Sequence, residues 1–360
     1  MCQYQITSTK IMTHENRDKL LRLINKHREL GMAEQIDYEK FYLYSIITHS
    51  TAIEGSTVTE VEAQLLFDEG ITSSKRSIIE QNMNLDLKAA YDYGRVWIKR
   101  HEDITVDSLI ELSAKVMART GSEYNSLGGT FNAAKGELRK LNVTAGASGR
   151  SYMNYLKVPQ RLETFCKELN ARRRTLDTSD ICAIYDLSFW AHFELVTIHP
   201  WADGNGRTSR LLMNLLQMEY DLLPTKVLKQ DKAEYIQALI DTREKNDINI
   251  FLNCMVRLHI GHLQYEIQQF EDSMQEETGR KGGQKTEKVD RKGGQKTRES
   301  IISLISKNPQ ITSTQLATSL GINRSAISKH LKRMQTEDII RRIGPDKGGH
   351  WEIVNNITQD

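Results

Sequence analysis

Twelve consecutive residues, His199-Pro200-Trp201-Ala202-Asp203-Gly204-Asn205-Gly206-Arg207-Thr208-Ser209-Arg210, constrain this chain more than any other stretch. Apolar runs flank them, Phe189-Trp190-Ala191-His192-Phe193 before and Leu211-Leu212-Met213-Asn214-Leu215-Leu216 after. Periodic apolar residues on both sides of a Gly-Asn-Gly break predict a helix–loop–helix. The glycines fall in the loop and the arginines in the first turns of the second helix. A loop without side-chain obstruction lets backbone N–H groups converge, and a helix N-terminus favours anions. Arg207 and Arg210 lie three residues apart on that helix, so both are expected to reach one polyphosphate. Arginines in a first turn oppose the helix dipole, which argues for an anionic partner. Asp203 offers a hard oxygen suited to Mg²⁺, and His199 is a base with a reference pKa of about 6.5. Base, metal ligand, anion hole and two cationic clamps point to phosphoryl or nucleotidyl transfer.

The rest of the sequence supplies a mainly α chain of 360 residues with five prolines. Periodicity predicts helices over residues 38–53, 59–69, 77–99, 106–118, 158–172, 179–196, 207–220, 231–242 and 247–272. Residues 128–152 carry five glycines and are expected to form a loop with a small β-hairpin. Gly55 and Gly70 are expected to close the helices that precede them. Charge divides the chain. From residue 278 on there are 16 Lys and Arg against 8 Asp and Glu, net +8, which leaves −6 for the first 277 residues. The heptapeptide Arg280-Lys281-Gly282-Gly283-Gln284-Lys285-Thr286 recurs at 291–297, and reads as a linker. Expected domains are therefore 1–79, 80–276, a linker at 277–297 and a basic C-terminal domain at 298–360. The C-terminal domain has the pattern of a winged helix-turn-helix: helices near 298–307, 312–320 and from Asn323, then a two-stranded wing over 339–343 and 351–354. Basic positions Arg324, Lys329, Lys332 and Arg333 suit DNA phosphates, while protein docking or dimerisation explains the same fold equally well. No stretch of 18 apolar residues exists, so no membrane partner is expected. The N-terminus lacks a signal-peptide profile, and four scattered cysteines show no metal or redox spacing, which together suggest a cytoplasmic setting.

The twelve-residue segment resembles the signature of the Fic (filamentation induced by cAMP) family, His-x-Phe-x-Asp/Glu-Gly-Asn-Gly-Arg-x-x-Arg. Every polar position matches, and Trp201 replaces the usual Phe. The resemblance implies an all-helical Fic core with a hairpin flap, and a protein adenylyltransferase using Mg-ATP on a Ser, Thr or Tyr hydroxyl of a target protein. It assigns the base to His199 and Mg²⁺ to Asp203. It places Gly204, Asn205 and Gly206 on the phosphates, Arg207 at the γ-phosphate and Arg210 at the β-phosphate. The hairpin near residues 146–153 looks like the family's flap. Tyr235 resembles a tyrosine near the nucleotide base, and a packing role explains it as well. Ser50-Thr51-Ala52-Ile53-Glu54-Gly55 resembles the family's inhibitory motif, with Ser50, Glu54 and Gly55 at its fixed positions. On that likeness Glu54 is expected to pair with Arg207 and block the γ-phosphate. In some members the same glutamate takes part in removing AMP. Proteins of this kind often form homo-oligomers. Two other readings fit the same residues: a nucleotide-sensing DNA-binding regulator, and a Fic transferase with another phosphate donor.

Overall fold

The computed structural model describes residues 12–35, 37–145, 150–279, 291–320, 324–336, 339–344 and 349–354. The chain divides into two compact units, Met1–Glu276 and Glu277–Asp360.

In the first unit the helices are α1 (His14–Glu29), α2 (Tyr38–Ile53), α3 (Glu60–Glu69), α4 (Ile78–Ile98) and α5 (Val106–Val116). Two antiparallel hairpins follow, β1 (Glu123–Ser126) with β2 (Gly129–Asn132), and β3 (Thr144–Ala145) with β4 (Arg150–Ser151). Helices resume with α6 (Val158–Arg174), α7 (Ile181–Ile198), α8 (Asn205–Glu219), α9 (Lys232–Lys245) and α10 (Ile248–Gly279), which crosses the boundary between the units. The second unit holds α11 (Arg291–Lys307), α12 (Ser313–Leu320), α13 (Arg324–Thr336) and the antiparallel pair β5 (Ile340–Ile343) and β6 (His350–Ile353).

The sequence sets most helix ends locally. Thr59 with Glu62, and Ser77 with Glu80, form capping boxes that start α3 and α4. Gly70 closes α3 in the left-handed conformation. Asp180 caps α7 by accepting the Ala183 N–H at 3.1 Å. Helix α7 stops at Ile198 because Pro200 keeps the residue before it out of the right-handed helical region. His199 there takes φ +54°.

Helix α7 is the axis of the core. All but three of its residues are buried, among them Tyr185, Phe189, Trp190 and Phe193. Its length and hydropathy would suit a membrane span, yet 83% of it is buried inside this unit. Helices α1, α6 and α8 pack against it, contributing Leu20, Phe165 and Leu212, and α4 and α5 pack on α8 with Leu87 and Leu109.

Three elements depart from the sequence-based expectation. Helix α1 lies in the N-terminal region expected to be helical but has no predicted range of its own, although its buried Leu20, Ile24 and His27 recur at helical spacing. A second hairpin, β1–β2, precedes the expected one. Helix α11 begins at Arg291, so the second copy of the heptapeptide lies in a helix rather than in the expected linker. The first copy at 280–286 lies outside the described residues, as do Gly321 and Asn323.

The second unit has the expected three helices and wing around Ile301, Ile305, Leu316, Ile327, Leu331 and Met334. Trp351 locks the wing to the helices: its backbone N–H donates to the Pro309 carbonyl at 2.7 Å and its indole N–H to Ile311 at 3.1 Å.

Gly136 joins α5 to the twelve-residue loop. It sits at φ +68°, an added Cβ would run into the Ile110 carbonyl of α5, and its own carbonyl accepts the Trp201 indole N–H at 2.9 Å. Both the conformation and the space exclude a side chain. Gly136→Ala is expected to lower the unfolding free energy by about 2–4 kcal/mol, read from denaturant midpoints.

Candidate active site

The site is built where α7 ends and α8 begins. Trp201 is fully buried, and the loop closes on it. Asn205 Oδ1 accepts the Trp201 N–H at 3.1 Å, and Asn205 Nδ2 donates to the Trp201 carbonyl at 2.9 Å. The tryptophan thus fills the anchor position and adds the indole bond to Gly136. Because the Asn205 side chain is engaged in the loop, only its backbone N–H is left to face an anion. Helix α8 starts after Gly204 (φ +80°) with no side-chain cap on its first turn, which suits an anion at that end.

His199 lies beside this turn. Its backbone is held by Arg139, itself 2% exposed. The Arg139 N–H donates to the Pro200 carbonyl at 3.0 Å, and its Nε to the His199 carbonyl at 2.7 Å. Its other nitrogens donate to the carbonyls of Leu141 and Met153. The His199 Nδ1–H donates to the Val196 carbonyl at 3.3 Å, which leaves Nε2 as the acceptor. Burial, aided by Arg139 and Arg243, brings its pKa down to about 4, against opposing pulls from Val196 and Glu54. His199 is therefore a neutral base at pH 7.

The arginines diverge. Arg210, 3% exposed, donates from Nε to Ser50 Oγ at 2.9 Å, and from Nη2 to the Ser50 carbonyl at 3.0 Å and Glu54 Oε1 at 2.7 Å. The expected Glu54–Arg207 pair is not formed; Glu54 pairs with Arg210. Helix α2 ends at Ile53 with Glu54 as its cap and Gly55 at φ +105°, and it meets the side of α8 that carries Arg210. Arg207 points elsewhere: its Nη2 lies 3.1 Å from Met117 Sδ and 3.4 Å from Asp203 Oδ1, while its Nε and Nη1 are buried without a partner among the described residues. Unpaired buried guanidinium donors are costly and are what a phosphate would satisfy. Glu54 also fills the space over Gly206, where an added Cβ would lie 2.5 Å from Oε1. Burial pushes the Glu54 pKa up, but the charge and hydrogen bond of Arg210, with Arg207 and Lys232 beyond, hold it below its ordinary value.

Asp203 is exposed, and its Oδ1 accepts the Gly204 N–H at 2.5 Å. Among the described residues no group of three or more His, Cys, Asp or Glu side chains could hold a metal. Asp203 fits a Mg²⁺ that takes its other ligands from phosphate oxygens and water, as that ion commonly does. Tyr235 is 1% exposed; its hydroxyl lies 2.9 Å from His192 Nε2, and its ring backs Arg210 at 6.0 Å. It packs behind the arginine in this structure.

Two residues at the site had no signal in the sequence. Arg139 is one. Tyr152 is the other; its ring stacks on His199 with centroids 3.7 Å apart. Each is separated from its partner by tens of residues and belongs to no repeating spacing.

A helix–loop–helix with a base, a bare helix N-terminus and two buried arginines defines an anion-handling site on a Fic-type helical core. Residues 103–217 match the model of the Fic/DOC family, and residues 295–341 match that of winged helix-turn-helix DNA-binding domains. It is 29% identical over 263 residues to "Protein adenylyltransferase Fic" of Nematostella vectensis, covering 67% of this chain and 57% of that protein. Against "Protein adenylyltransferase fic-1" of Caenorhabditis elegans it is 29% identical over 204 residues, 56% of this chain and 36% of the other. The chain thus spans between about a third and three-fifths of the length of these relatives. Among solved structures, a Fic family protein from Desulfovibrio desulfuricans G20 aligns over 99% of this chain and all of its own, with TM-score 0.57 at 18% identity. A Fic domain protein from Bacteroides thetaiotaomicron aligns over 71% of this chain and 97% of its own, with TM-score 0.58 at 21% identity.

The Glu54 pKa lies below its unfolded value, so the stabilisation from its pairing is full above pH 4.5 and is lost as pH falls through the folded value. The Tm gap between the wild type and Glu54→Gln is expected to stay constant from about pH 8 to about pH 6 and to close in stronger acid.

Proposed function

We propose that this chain is a protein adenylyltransferase held in check by its own helix α2. The observation that carries the reading is the Glu54 carboxylate seated on Arg210 at the N-terminal turn of α8, beside a neutral His199 whose Nε2 is free to accept a proton. His199 takes the proton of a Ser, Thr or Tyr hydroxyl on a target protein. The hydroxyl oxygen bonds to the α-phosphorus of ATP, the bond from that phosphorus to the bridging oxygen breaks, and pyrophosphate leaves. Arg207, the bare N–H groups of α8 and Arg210 receive the phosphates. Mg²⁺ held by Asp203 would neutralise charge on the phosphate oxygens.

In the resting arrangement Arg210 is engaged by Ser50 and Glu54, and the carboxylate occupies the space above Gly206. An incoming polyphosphate meets a like charge there and loses one of its cations, so any bound ATP sits out of line for attack. Relatives named protein adenylyltransferase Fic support the reaction class.

With α-labelled ATP and Mg²⁺, Glu54→Gly is expected to raise AMP transfer to itself or to target protein by at least about tenfold over the wild type. Adding His199→Ala should lower it by about a hundredfold or more. Transfer absent from all three proteins, with ATP bound, would favour a different phosphate donor or a nucleotide-sensing regulator.

The second unit supports a DNA partner. Its family match is to winged helix-turn-helix DNA-binding domains, and Ser328, Lys332 and Arg333 of α13 and Arg341 of the wing are exposed. If three phosphates are neutralised, affinity for a short duplex should fall roughly 40-fold between 50 and 200 mM salt. Absence of binding at low salt would leave the docking role.

A further inference from the structure

The catalytic base candidate is held by groups from several separate segments. Tyr152, just after β4, lays its ring on the His199 imidazole with centroids 3.7 Å apart and planes 17° from parallel. The Arg243 guanidinium of α9 stands 5.3 Å from the same Tyr152 ring, and its Nε lies 3.4 Å from Thr197 Oγ1. The Tyr152 N–H donates to the Val143 carbonyl at 3.0 Å, extending the β3–β4 hairpin by one further pair. The ring is therefore fixed from its own backbone and flanked by a cation beyond.

We propose that Tyr152 is a positioning residue for His199, its ring face fixing the imidazole plane and shielding it from water so that Nε2 stays a neutral proton acceptor. The contact of Nδ1 with the Val196 carbonyl is long at 3.3 Å, and by itself it restrains the ring weakly. A flat face at van der Waals distance removes rotation of the imidazole about its Cβ–Cγ bond. It also takes away one side of the hydration that a protonated ring would need.

Two effects of the tyrosine compete. Its π-face attracts an imidazolium, worth about 0.5–2 kcal/mol. Its shielding disfavours the same cation, by as much as several pKa units for a fully buried group. The surroundings favour the second effect. Arg139, behind the His199 carbonyl, and Arg243, beyond Tyr152, both disfavour protonation. Glu54 of α2 and the Val196 carbonyl favour it, yet the imidazole remains neutral to about pH 4. The phenol oxygen has no part in this, so phenylalanine should serve equally.

The experiment is a pH titration of the full chain labelled with ring-¹⁵N histidine, the His199 signals being assigned by loss in His199→Ala. Wild type and Tyr152→Phe are expected to show one tautomer, protonated at Nδ1, with a midpoint near pH 4. Tyr152→Ala should raise the midpoint by at least about one pH unit and mix the two tautomers. An unmoved or lowered midpoint with a single tautomer in Tyr152→Ala would overturn the proposal. If that variant fails to fold, Tyr152→Leu, bulky but without a flat face, is read in the same way.

A second arm rests on the adenylyl-transfer reading. In a Glu54→Gly background, Tyr152→Ala should cut kcat roughly 10–100-fold, leave the KM for ATP within about twofold, and move the acid limb of the rate profile upward, with Tyr152→Phe restoring all three. If Glu54→Gly transfers no AMP at all, that reading fails by itself, and the titration still decides the role of Tyr152.

Discussion

A guanidinium that is only 3% exposed must be matched by acceptors, and Arg210 organises the site through that requirement. It cannot shed its proton, and burial without compensation would cost several kcal/mol. Its partners come from α2, 156 and 160 positions earlier in the chain. Those partners fix where Glu54 points, and Glu54 leaves room only for a glycine at the second residue of α8, Gly206. Behind it stand Tyr235 and His192, the latter kept neutral by burial and by Arg210 itself. Tyr235 and His192 thus back the arginine on one side, and on the proposed reading α2 supplies a displaceable cover on the other.

The base is set by a second buried guanidinium that works differently. Arg139 has no carboxylate; it donates to carbonyls of His199, Leu141 and Met153, which belong to the α7–α8 loop and to both sides of the β3–β4 hairpin. A cation satisfied by neutral carbonyls keeps its charge and adds positive potential near His199. That potential helps to hold the imidazole neutral. One residue thus ties hairpin to loop and also adds to the burial that keeps His199 neutral.

Much of this was legible in the sequence, for identifiable reasons. The helix–loop–helix follows from apolar periodicity, Pro200 and the Gly-Asn-Gly break, all local signals. The C-terminal unit was legible for the same reason, because its helices and wing are short and closed by their own turns. The partner of Glu54 was not. Arg207 and Arg210 lie about 60° apart around α8, and the choice between them depends on where α2 docks, which no local pattern encodes. Nor was the work of the Asn205 side chain, which closes the loop on Trp201 through two hydrogen bonds that depend on the loop's exact path. Arg139 and Tyr152 act across the fold and left no trace in spacing.

On the proposed reading, Glu54 and a phosphate compete for Arg210. The two anions cannot both sit over Gly206, so a nucleotide's affinity in the productive pose is reduced by whatever α2 gains by docking. Part of that gain comes from contacts at the C-terminal end of α2 and just beyond it. Thr51 Oγ1 bonds Asn84 Oδ1 at 3.0 Å, Asn84 Nδ2 bonds Ser56 Oγ at 3.2 Å, and Glu80 Oε1 accepts from the Thr57 backbone and hydroxyl. These contacts pin the end of α2 to α4 without touching the phosphate site. On the proposed reading, anything that weakens the α2–α4 contact releases Arg210 while leaving the base, Arg207 and the helix N-terminus in place. On that reading the restraint is adjustable through the α2–α4 contact, and His199 and Arg207 need not move.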